Sequence, residues 1–262
     1  KDDYNFFIKR AENYRQVFDT VGGFMHARQK HFLKGFDPYK VSMHYTEGNA
    51  WQYTFYAPQD LSGLMSLMGG KQGLATKLDS LFTTTSKLKG IKRKADITGL
   101  IGQYAHGNEP SHQIAYEYDY AGQAWKTQAI VRRIMRELYR AEPDGLAGNE
   151  DCGQMSAWYV FSAIGFYPVC PGSDQYALGS PAVDKAIIHL ENGRTFTITA
   201  GNNSDKNVYI QSAKLGGETY TKSYITYQQI MNGGTLDLKM GPTPNTSWGT
   251  GENDVPVTQI KP

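Results

Sequence analysis

The sequence predicts an α+β fold in which a mostly helical region, residues 1–172, precedes a β-module, residues 173–262. Two observations support this division. Apolar residues recur at helical spacing through most of the first region, and the period changes to two after Pro171-Gly172. Helices that come before strands, rather than alternating with them, are typical of segregated α+β architectures.

The helical region contains several segments with clear helix signals. A first helix is predicted from Tyr4 to Phe18, ended by Gly22-Gly23, and Asp60 can cap a second over residues 61–68. A third is predicted over about residues 74–82. The clearest helix covers residues 125–139, and another runs over residues 153–164 and stops at Gly165.

The β-module alternates apolar and other residues, for example at Ala186, Ile188 and Leu190. Asn192-Gly193 follows directly and is a hairpin signal. Further turn signals separate the later alternating runs. The pattern therefore predicts an antiparallel β-module that packs on the helices.

Composition excludes several classes of protein. The net charge is +2, so no basic surface indicates nucleic-acid binding. No apolar run approaches the roughly 20 residues that a membrane span needs. Two cysteines, Cys152 and Cys170, are too few for a disulfide scaffold and indicate no compartment. Aromatic residues make up 13% of the chain, which is common among carbohydrate-acting proteins because aromatic faces pack on the apolar faces of sugars.

The chain opens with the letters KDDYNFFIKR, which already follow a helical pattern and contain no signal peptide. It also lacks an initiator methionine. We therefore expect further sequence upstream.

A first polar and aromatic segment, HYTEGNAWQY, surrounds Glu47 with Tyr45, Trp51 and Tyr53. Apolar neighbours disfavour an ionised carboxylate, which suits a general acid that works near neutral pH. The alternative is that Glu47 only stabilises the N-terminus of an aromatic helix.

A second segment, YAHGNEPSH, places Asn108 and Glu109 in a Gly/Pro loop. Amide and carboxylate oxygens suit a hard cation such as calcium. The two histidines, His106 and His112, are six residues apart and do not form a zinc motif. The alternative is a capping turn in which Ser111 begins the next helix.

A third segment, GNEDCGQMSAW, groups Glu150 and Asp151 at the start of an apolar helix. Acidic residues favour helix N-termini, and this alone accounts for them equally well. The functional interpretation is a carboxylate that stays ionised there and acts as a base. A fourth segment, around Gly165 to Pro181, is interpreted mainly as a hinge between the two regions.

Together these strings resemble glycoside hydrolase family 92. The resemblance rests on YTEGNAWQY, HGNEPSH, YDYAGQAWKTQ, GLAGNEDCGQMSAWYVFSAIGFYPVCPGS and ALGSP, which occur in the family's order and cover essentially the whole chain. It implies a calcium-dependent exo-α-mannosidase that inverts the anomeric configuration. It also implies that the helical region is part of an (α/α)₆ barrel and that a large N-terminal β-sandwich domain precedes it.

The resemblance implies roles for particular residues. Glu47 matches the general acid, and Asp151 in the GNED motif is expected to be the general base. Asn108 and Glu109 match the loop associated with Ca²⁺ and with bound mannose. The remaining expected substrate-binding residues are Trp51, His106, Trp125 and Glu150.

The expected substrates are mannose-containing glycans, such as mannans or N-glycans, and the expected location is periplasmic, secreted or at the cell surface. Two alternatives remain open at this point. The chain could belong to another (α/α)₆ glycosidase with a different sugar specificity. It could also be a non-catalytic carbohydrate-binding fragment, if the β-module binds glycans by itself.

Overall fold

The structure is a computed structural model that describes residues 1–90 and 96–260. No helix within these ranges is both long and apolar enough to cross a membrane. Short 3-10 turns lie at Asn13–Gln16, Pro58–Asp60, Glu109–Ser111 and Ile114–Tyr116. The α-helices are α1 (Asp2–Ala11), α2 (Ala50–Thr54), α3 (Leu61–Leu67), α4 (Gly70–Thr83), α5 (Glu117–Tyr120), α6 (Ala124–Glu137), α7 (Gln154–Ile164) and α8 (Tyr227–Met231).

The strands are short in the helical region and longer after it. They are β1 (Phe18–Asp19), β2 (Phe24–Met25), β3 (Lys40–Val41), β4 (Lys89–Gly90), β5 (Leu100–Ile101), β6 (Tyr104–Ala105), β7 (Phe166–Tyr167), β8 (Gln175–Leu178), β9 (Lys185–His189), β10 (Thr195–Gly201), β11 (Tyr209–Leu215), β12 (Glu218–Tyr220), β13 (Tyr224–Thr226) and β14 (Gly234–Gly241). This content confirms the α+β class.

Most predicted helices are present with nearly the expected bounds. Asp60 caps α3 by accepting a hydrogen bond from the Gly63 N–H at 3.0 Å, as predicted. Helix α6 buries Ile130, Val131 and Ile134 in the main apolar core. The burial of this apolar stripe explains why α6 forms where the periodicity placed it.

The first predicted helix is too long, because α1 ends at Ala11 instead of continuing to Phe18. The buried carboxylate of Asp60 accepts hydrogen bonds from Tyr14 Oη at 2.7 Å and from the Arg15 guanidinium at 2.8 Å. A buried carboxylate needs such partners. We attribute the early end of α1 to this tertiary contact, which the local pattern does not encode.

The main sheet has five strands in the order β12-β11-β14-β10-β9. The hairpin predicted at Asn192-Gly193 joins β9 to β10, and Phe196, Ile198 and Ala200 alternate inward as expected. However, β10 and β14 pair in parallel, so the prediction of a purely antiparallel module is wrong. The long connection between them, which contains α8, allows β14 to enter from the same end as β10.

The helical and β regions are joined by direct contacts. A three-stranded sheet, β13-β8-β7, pairs β7 from before residue 172 with β8 from after it. Gln128 on α6 accepts a hydrogen bond from the Ile210 N–H of β11 at 3.0 Å. Arg132, also on α6, donates to Asn203 Oδ1 and to the carbonyl oxygen of Pro181.

Candidate active site

Glu47 lies in the loop before α2, with an exposed side chain and a left-handed backbone conformation, φ 52°. The helix begins after Asn49, whose Oδ1 accepts from the Trp51 N–H at 2.9 Å. The Asn49 N–H in turn donates to Gln52 Oε1 at 2.8 Å. This capping box satisfies the helix end. Glu47 is therefore not needed to stabilise the helix, and its carboxyl is free for another role.

The segment around Glu109 reaches the Glu47 loop. Asn108 is 8% exposed, and its Nδ2 donates to the carbonyl oxygen of Glu47 at 3.1 Å and to Glu47 Oε2 at 3.4 Å. Glu109 follows directly and begins the 3-10 turn. Ser111 Oγ is buried and has no hydrogen-bond partner in the described ranges, so Ser111 does not act as the predicted alternative cap.

Asp151 lies in an unusual turn before α7. Three consecutive residues adopt left-handed conformations, with φ 50° at Asp151, 57° at Cys152 and 94° at Gly153. Such conformations cost energy for residues other than glycine, and they cluster at functional sites. The Asp151 side chain is exposed. Glu47 and Asp151 thus share the same backbone feature on separate loops.

Glu109 interacts with Asp151 directly and with Glu47 through its charge. Burial raises its pKa, and the hydrogen bond and negative charge of Asp151 raise it further, with a smaller contribution from the charge of Glu47. The structure therefore brings together Glu47, Glu109 and Asp151, which are separated in sequence by about 100 residues.

Two glycines allow the loops of Glu109 and Asp151 to approach each other. A Cβ atom at Gly148 would lie 2.6 Å from the Gly107 carbonyl oxygen and 2.7 Å from Gly107 Cα. Any side chain at this point would push the two backbones apart. The contact explains why the GNED and HGNEP motifs both contain glycine shortly before their acidic residues.

His106 was predicted to bind substrate, but the structure places it beneath the site, fully buried. Tyr104 Oη lies 2.7 Å from its Nδ1, and Tyr139 Oη lies 2.6 Å from its Nε2. Tyr139 Oη also donates to the Met155 carbonyl oxygen at 3.1 Å. Both ring nitrogens are occupied by tyrosine hydroxyls, so the His106 ring supports the loops. A direct contact between His106 and the substrate stays a prediction.

Trp51 was predicted to stack on the sugar, but it is only 6% exposed and belongs to the main core. Its ring packs edge-on against Phe24, with centroids 4.8 Å apart. Tyr45 and Tyr53 pack against each other, with ring centroids 5.7 Å apart, and Glu47 stays exposed. The motif does not show that α2 buries this face, which is a tertiary effect. A direct contact between Trp51 and the sugar stays a prediction.

Trp125 and Glu150 have other surroundings. Trp125 is half-buried in the first turn of α6, and no hydrogen bond or ring contact in the described ranges joins it to the three carboxyls. Glu150 accepts hydrogen bonds from the Ser156 N–H at 3.0 Å and from Ser156 Oγ at 2.9 Å. Its carboxylate thus stabilises the start of α7, as the alternative interpretation of this acidic pair expected. Direct sugar contacts by both residues stay predictions.

His112 and Gln154 connect the loops but were not predicted as site residues. Gln154 Nε2 lies 3.1 Å from His112 Nδ1, across 42 residues of sequence. Both belong to the motif strings that carry the family resemblance, and this was the only sequence signal available for them. Their pairing depends on the fold and not on any local spacing.

The chemistry of these side chains fits calcium in part. Asn108 and Glu109 offer the oxygen donors that calcium prefers, and the Nδ2 contact of Asn108 leaves its Oδ1 available. The paired carboxyls of Glu109 and Asp151 need a proton or a cation to offset their repulsion. However, the described ranges hold no preformed group of three or more His, Cys, Asp or Glu side chains that could bind a metal.

Comparison with known proteins identifies the family. A family model for the glycosyl hydrolase family 92 catalytic domain matches residues 1–242. The chain belongs to glycoside hydrolase family 92. The resemblance inferred from the motif strings is thereby confirmed, and the protein is a member of a glycosidase family.

Solved family 92 structures share this fold. One is a family GH92 α-mannosidase of Bacteroides thetaiotaomicron in complex with mannoimidazole, at 40% identity and a TM-score of 0.91, with 98% of this chain and 35% of that chain covered. Another is a family GH92 inverting mannosidase of the same species, at 38% identity and a TM-score of 0.85, with 97% and 36% covered. This chain thus spans about a third of their length.

A curated relative is an uncharacterized secreted glycosidase of Arthroderma benhamiae. It is 34% identical over 213 residues, which cover 80% of this chain and 25% of the relative. Family 92 sequences similar to this one therefore occur within much longer proteins.

Proposed function

We propose that the protein carrying this chain is an exo-acting α-mannosidase that releases terminal α-linked mannose from mannans or N-glycans with inversion. The family membership and the α-mannosidases among its solved relatives support the substrate class. One of those relatives is an inverting mannosidase, which supports the stereochemistry. The fungal relative supports secretion, with a periplasmic or cell-surface location as the other expected outcomes.

One observation carries the proposal. Glu47 and Asp151 lie on separate loops, each in a left-handed backbone conformation, and Glu109 interacts with both. An inverting glycosidase needs two carboxyl groups about 6.5–9.5 Å apart, so that a water molecule fits beside the sugar. We propose that the carboxyls of Glu47 and Asp151 stand at such a separation, with the sugar and the attacking water between them.

In the proposed reaction, the Glu47 carboxyl donates a proton to the glycosidic oxygen as the bond to the leaving group breaks. Asp151 accepts a proton from a water molecule that attacks the anomeric carbon from the opposite face. Asn108 orients Glu47 through its hydrogen bonds to the carbonyl and carboxyl oxygens. Glu109, on the adjoining loop, would contact the sugar or a cation bound to it.

Calcium would be held by Glu109 and Asn108 Oδ1. These residues supply only two or three of the six to eight oxygen ligands that calcium typically takes. Main-chain carbonyls, water, sugar hydroxyls and other parts of the enzyme would complete the shell. When bound, the cation would polarise sugar hydroxyls and favour ring distortion toward the transition state.

We also propose the larger architecture that the family resemblance implies. Helices of the region 1–172 would form part of an (α/α)₆ barrel, and an N-terminal β-sandwich domain would complete the enzyme. The coverage of about a third of each solved relative leaves room for both.

The function is tested by comparing Glu47→Gln with the unaltered full-length enzyme on an α-linked mannobiose. Loss of the proton donor should lower kcat by about 10²–10⁴-fold, because that is the usual contribution of general acid catalysis. Binding of mannose, measured by calorimetry, should persist in the variant. A variant that retains full turnover would remove Glu47 from the mechanism, and an unaltered enzyme that cleaves no α-mannoside would refute the proposed function.

A further inference from the structure

Gln154, the first residue of α7, links the loop of Asp151 to the segment that carries Glu109. Its side-chain Nε2 donates to His112 Nδ1 at 3.1 Å and lies 3.4 Å from Tyr167 Oη. Its backbone N–H donates to the Asp151 carbonyl oxygen at 3.2 Å. Gln154 therefore contacts both sides of the site, one through the main chain and the other through the side chain.

His112 can accept this hydrogen bond in only one tautomer. Its Nε2 lies 2.9 Å from the His106 carbonyl oxygen, and because a carbonyl can only accept, Nε2 carries the proton. Nδ1 therefore presents a lone pair to Gln154. The amide of Gln154 is a donor of the right kind for this acceptor.

A second bond anchors the same face of α7. Trp158, one turn further along the helix, donates from Nε1 to the His112 carbonyl oxygen at 2.9 Å. His112 is only three residues after Glu109 and ends the turn that Glu109 begins. The position of Glu109 is therefore tied to α7 through the side chain and the main chain of one histidine.

The turn on the other side of Gln154 needs such an anchor. Its non-glycine members Asp151 and Cys152 have φ values of 50° and 57°, which cost energy and persist only where the surroundings hold them. The side chain of Asp151 is exposed and adds little packing of its own. Gln154 is the first helical residue after this strained turn, so its contacts hold the end of the turn in place.

We infer that Gln154 is a positioning residue, which holds the strained Asp151 turn against the Glu109 segment through its hydrogen bond to His112. The inference rests on the proposed function, because the relative position of Glu109 and Asp151 matters only if both act on the substrate. Gln154 itself is placed to act on the reaction only through those residues.

The test replaces Gln154 with methionine in the full-length enzyme. Methionine keeps the length and helix propensity of glutamine but cannot donate to His112. Small misplacement of a reacting group mainly costs turnover, so kcat on mannobiose should fall by about tenfold or more while KM changes by less than about twofold. Imidazole ¹⁵N chemical shifts should show Nδ1 of His112 as a hydrogen-bonded acceptor in the unaltered protein and as a free acceptor in the variant.

Ser156→Ala is the matched control. It removes the 2.9 Å bond between Ser156 Oγ and Glu150 at the same helix end but leaves the link to His112 intact. Its kcat should stay within about twofold of the unaltered enzyme. Equal losses of kcat in both variants would show a merely structural role and overturn the inference, as would unchanged kcat in Gln154→Met.

The NMR measurement on the unaltered protein tests the inference even if Gln154→Met does not fold. A protonated Nδ1 on His112 in the unaltered protein would by itself overturn the inference, whereas an unprotonated, hydrogen-bonded Nδ1 supports it. Failure of the proposed function is a different result. It would appear as an unaltered enzyme without mannosidase activity, and the inference would fail with it.

Discussion

Glu117 and Asp119 are fully buried acids on the short helix α5. Gln113 faces the Glu117 carboxyl and Thr127 faces that of Asp119, but no oxygen of either acid forms a hydrogen bond of normal geometry within the described ranges. Burial raises the pKa of both groups well above the usual range. Burial therefore favours the protonated form of both acids, and no cationic side chain within the described ranges pairs with them.

This burial has a direct consequence for stability. The pKa of each acid is higher in the folded than in the unfolded chain, so the folded state binds more protons. Their contribution is fully present below the unfolded pKa of about 4, and it is lost as pH rises toward the folded pKa. The free energy of unfolding should fall by up to about 1.4 kcal/mol per pH unit for each group over that interval.

The double variant Glu117→Gln/Asp119→Asn should flatten this dependence, because neither amide can ionise. Urea unfolding between about pH 5 and pH 8 measures the slope. Glu218→Gln, at an exposed position on β12, is the control and should leave the slope unchanged. Equal slopes in the double variant and the unaltered protein would show that the two acids do not release protons in this range.

At the scale of elements, the contact between Gly107 and Gly148 fixes how closely two loops of the site approach. Gly148→Ala would place its Cβ 2.6 Å from the Gly107 carbonyl oxygen, so the backbones must separate. Overpacking of this kind typically costs about 1–3 kcal/mol in stability. We also expect activity to fall, since the loops carry Glu109 and Asp151. Thermal unfolding and mannobiose hydrolysis measure the two effects.

Gly201→Ala is the matched control for this prediction. Among the described residues, a Cβ there would meet only the Leu238 carbonyl oxygen, at 3.6 Å, which is ordinary contact, and Gly201 ends β10 and belongs to neither loop. The control should retain activity. If Gly148→Ala were as active and as stable as the unaltered protein, the close approach of the two loops would not matter to the site.

Elements with strong local signals were predictable from the sequence. Helix α6 was expected over residues 125–139 and spans Ala124–Glu137, because its apolar stripe also forms the core. The inward positions of β10 followed from its alternation. The parallel pairing of β10 with β14 was not predictable, since a period of two is the same in parallel and antiparallel strands.

The site was predictable only as far as the motif strings reach. They indicated Glu47, Glu109 and Asp151, and the structure brings these three together. The strings gave no way to separate exposed from buried motif residues, so the burial of His106 and Trp51 was not expected. Burial is decided by distant parts of the chain, and a motif does not record it.

At the scale of the whole molecule, helix α6 joins the helical region to the β-module. Arg132 donates to the Ser204 carbonyl oxygen at 2.9 Å as well as to Asn203, and it is 5% exposed. Removing one partner of a buried, charge-assisted hydrogen bond destabilises the fold strongly, because the other partner stays buried without a bond. The two regions are therefore mechanically coupled, and the family match extends across both, over residues 1–242.

The central claim is that Glu47 and Asp151 work as an acid and a base on opposite faces of one sugar. The most direct test is the configuration of the first mannose released by the full-length enzyme, followed by ¹H NMR before mutarotation. The account predicts β-mannose from an α-mannoside, because water attacks opposite the leaving group in a single displacement. Initial release of α-mannose would contradict it, because retention requires a covalent intermediate and a carboxylate that attacks the sugar directly.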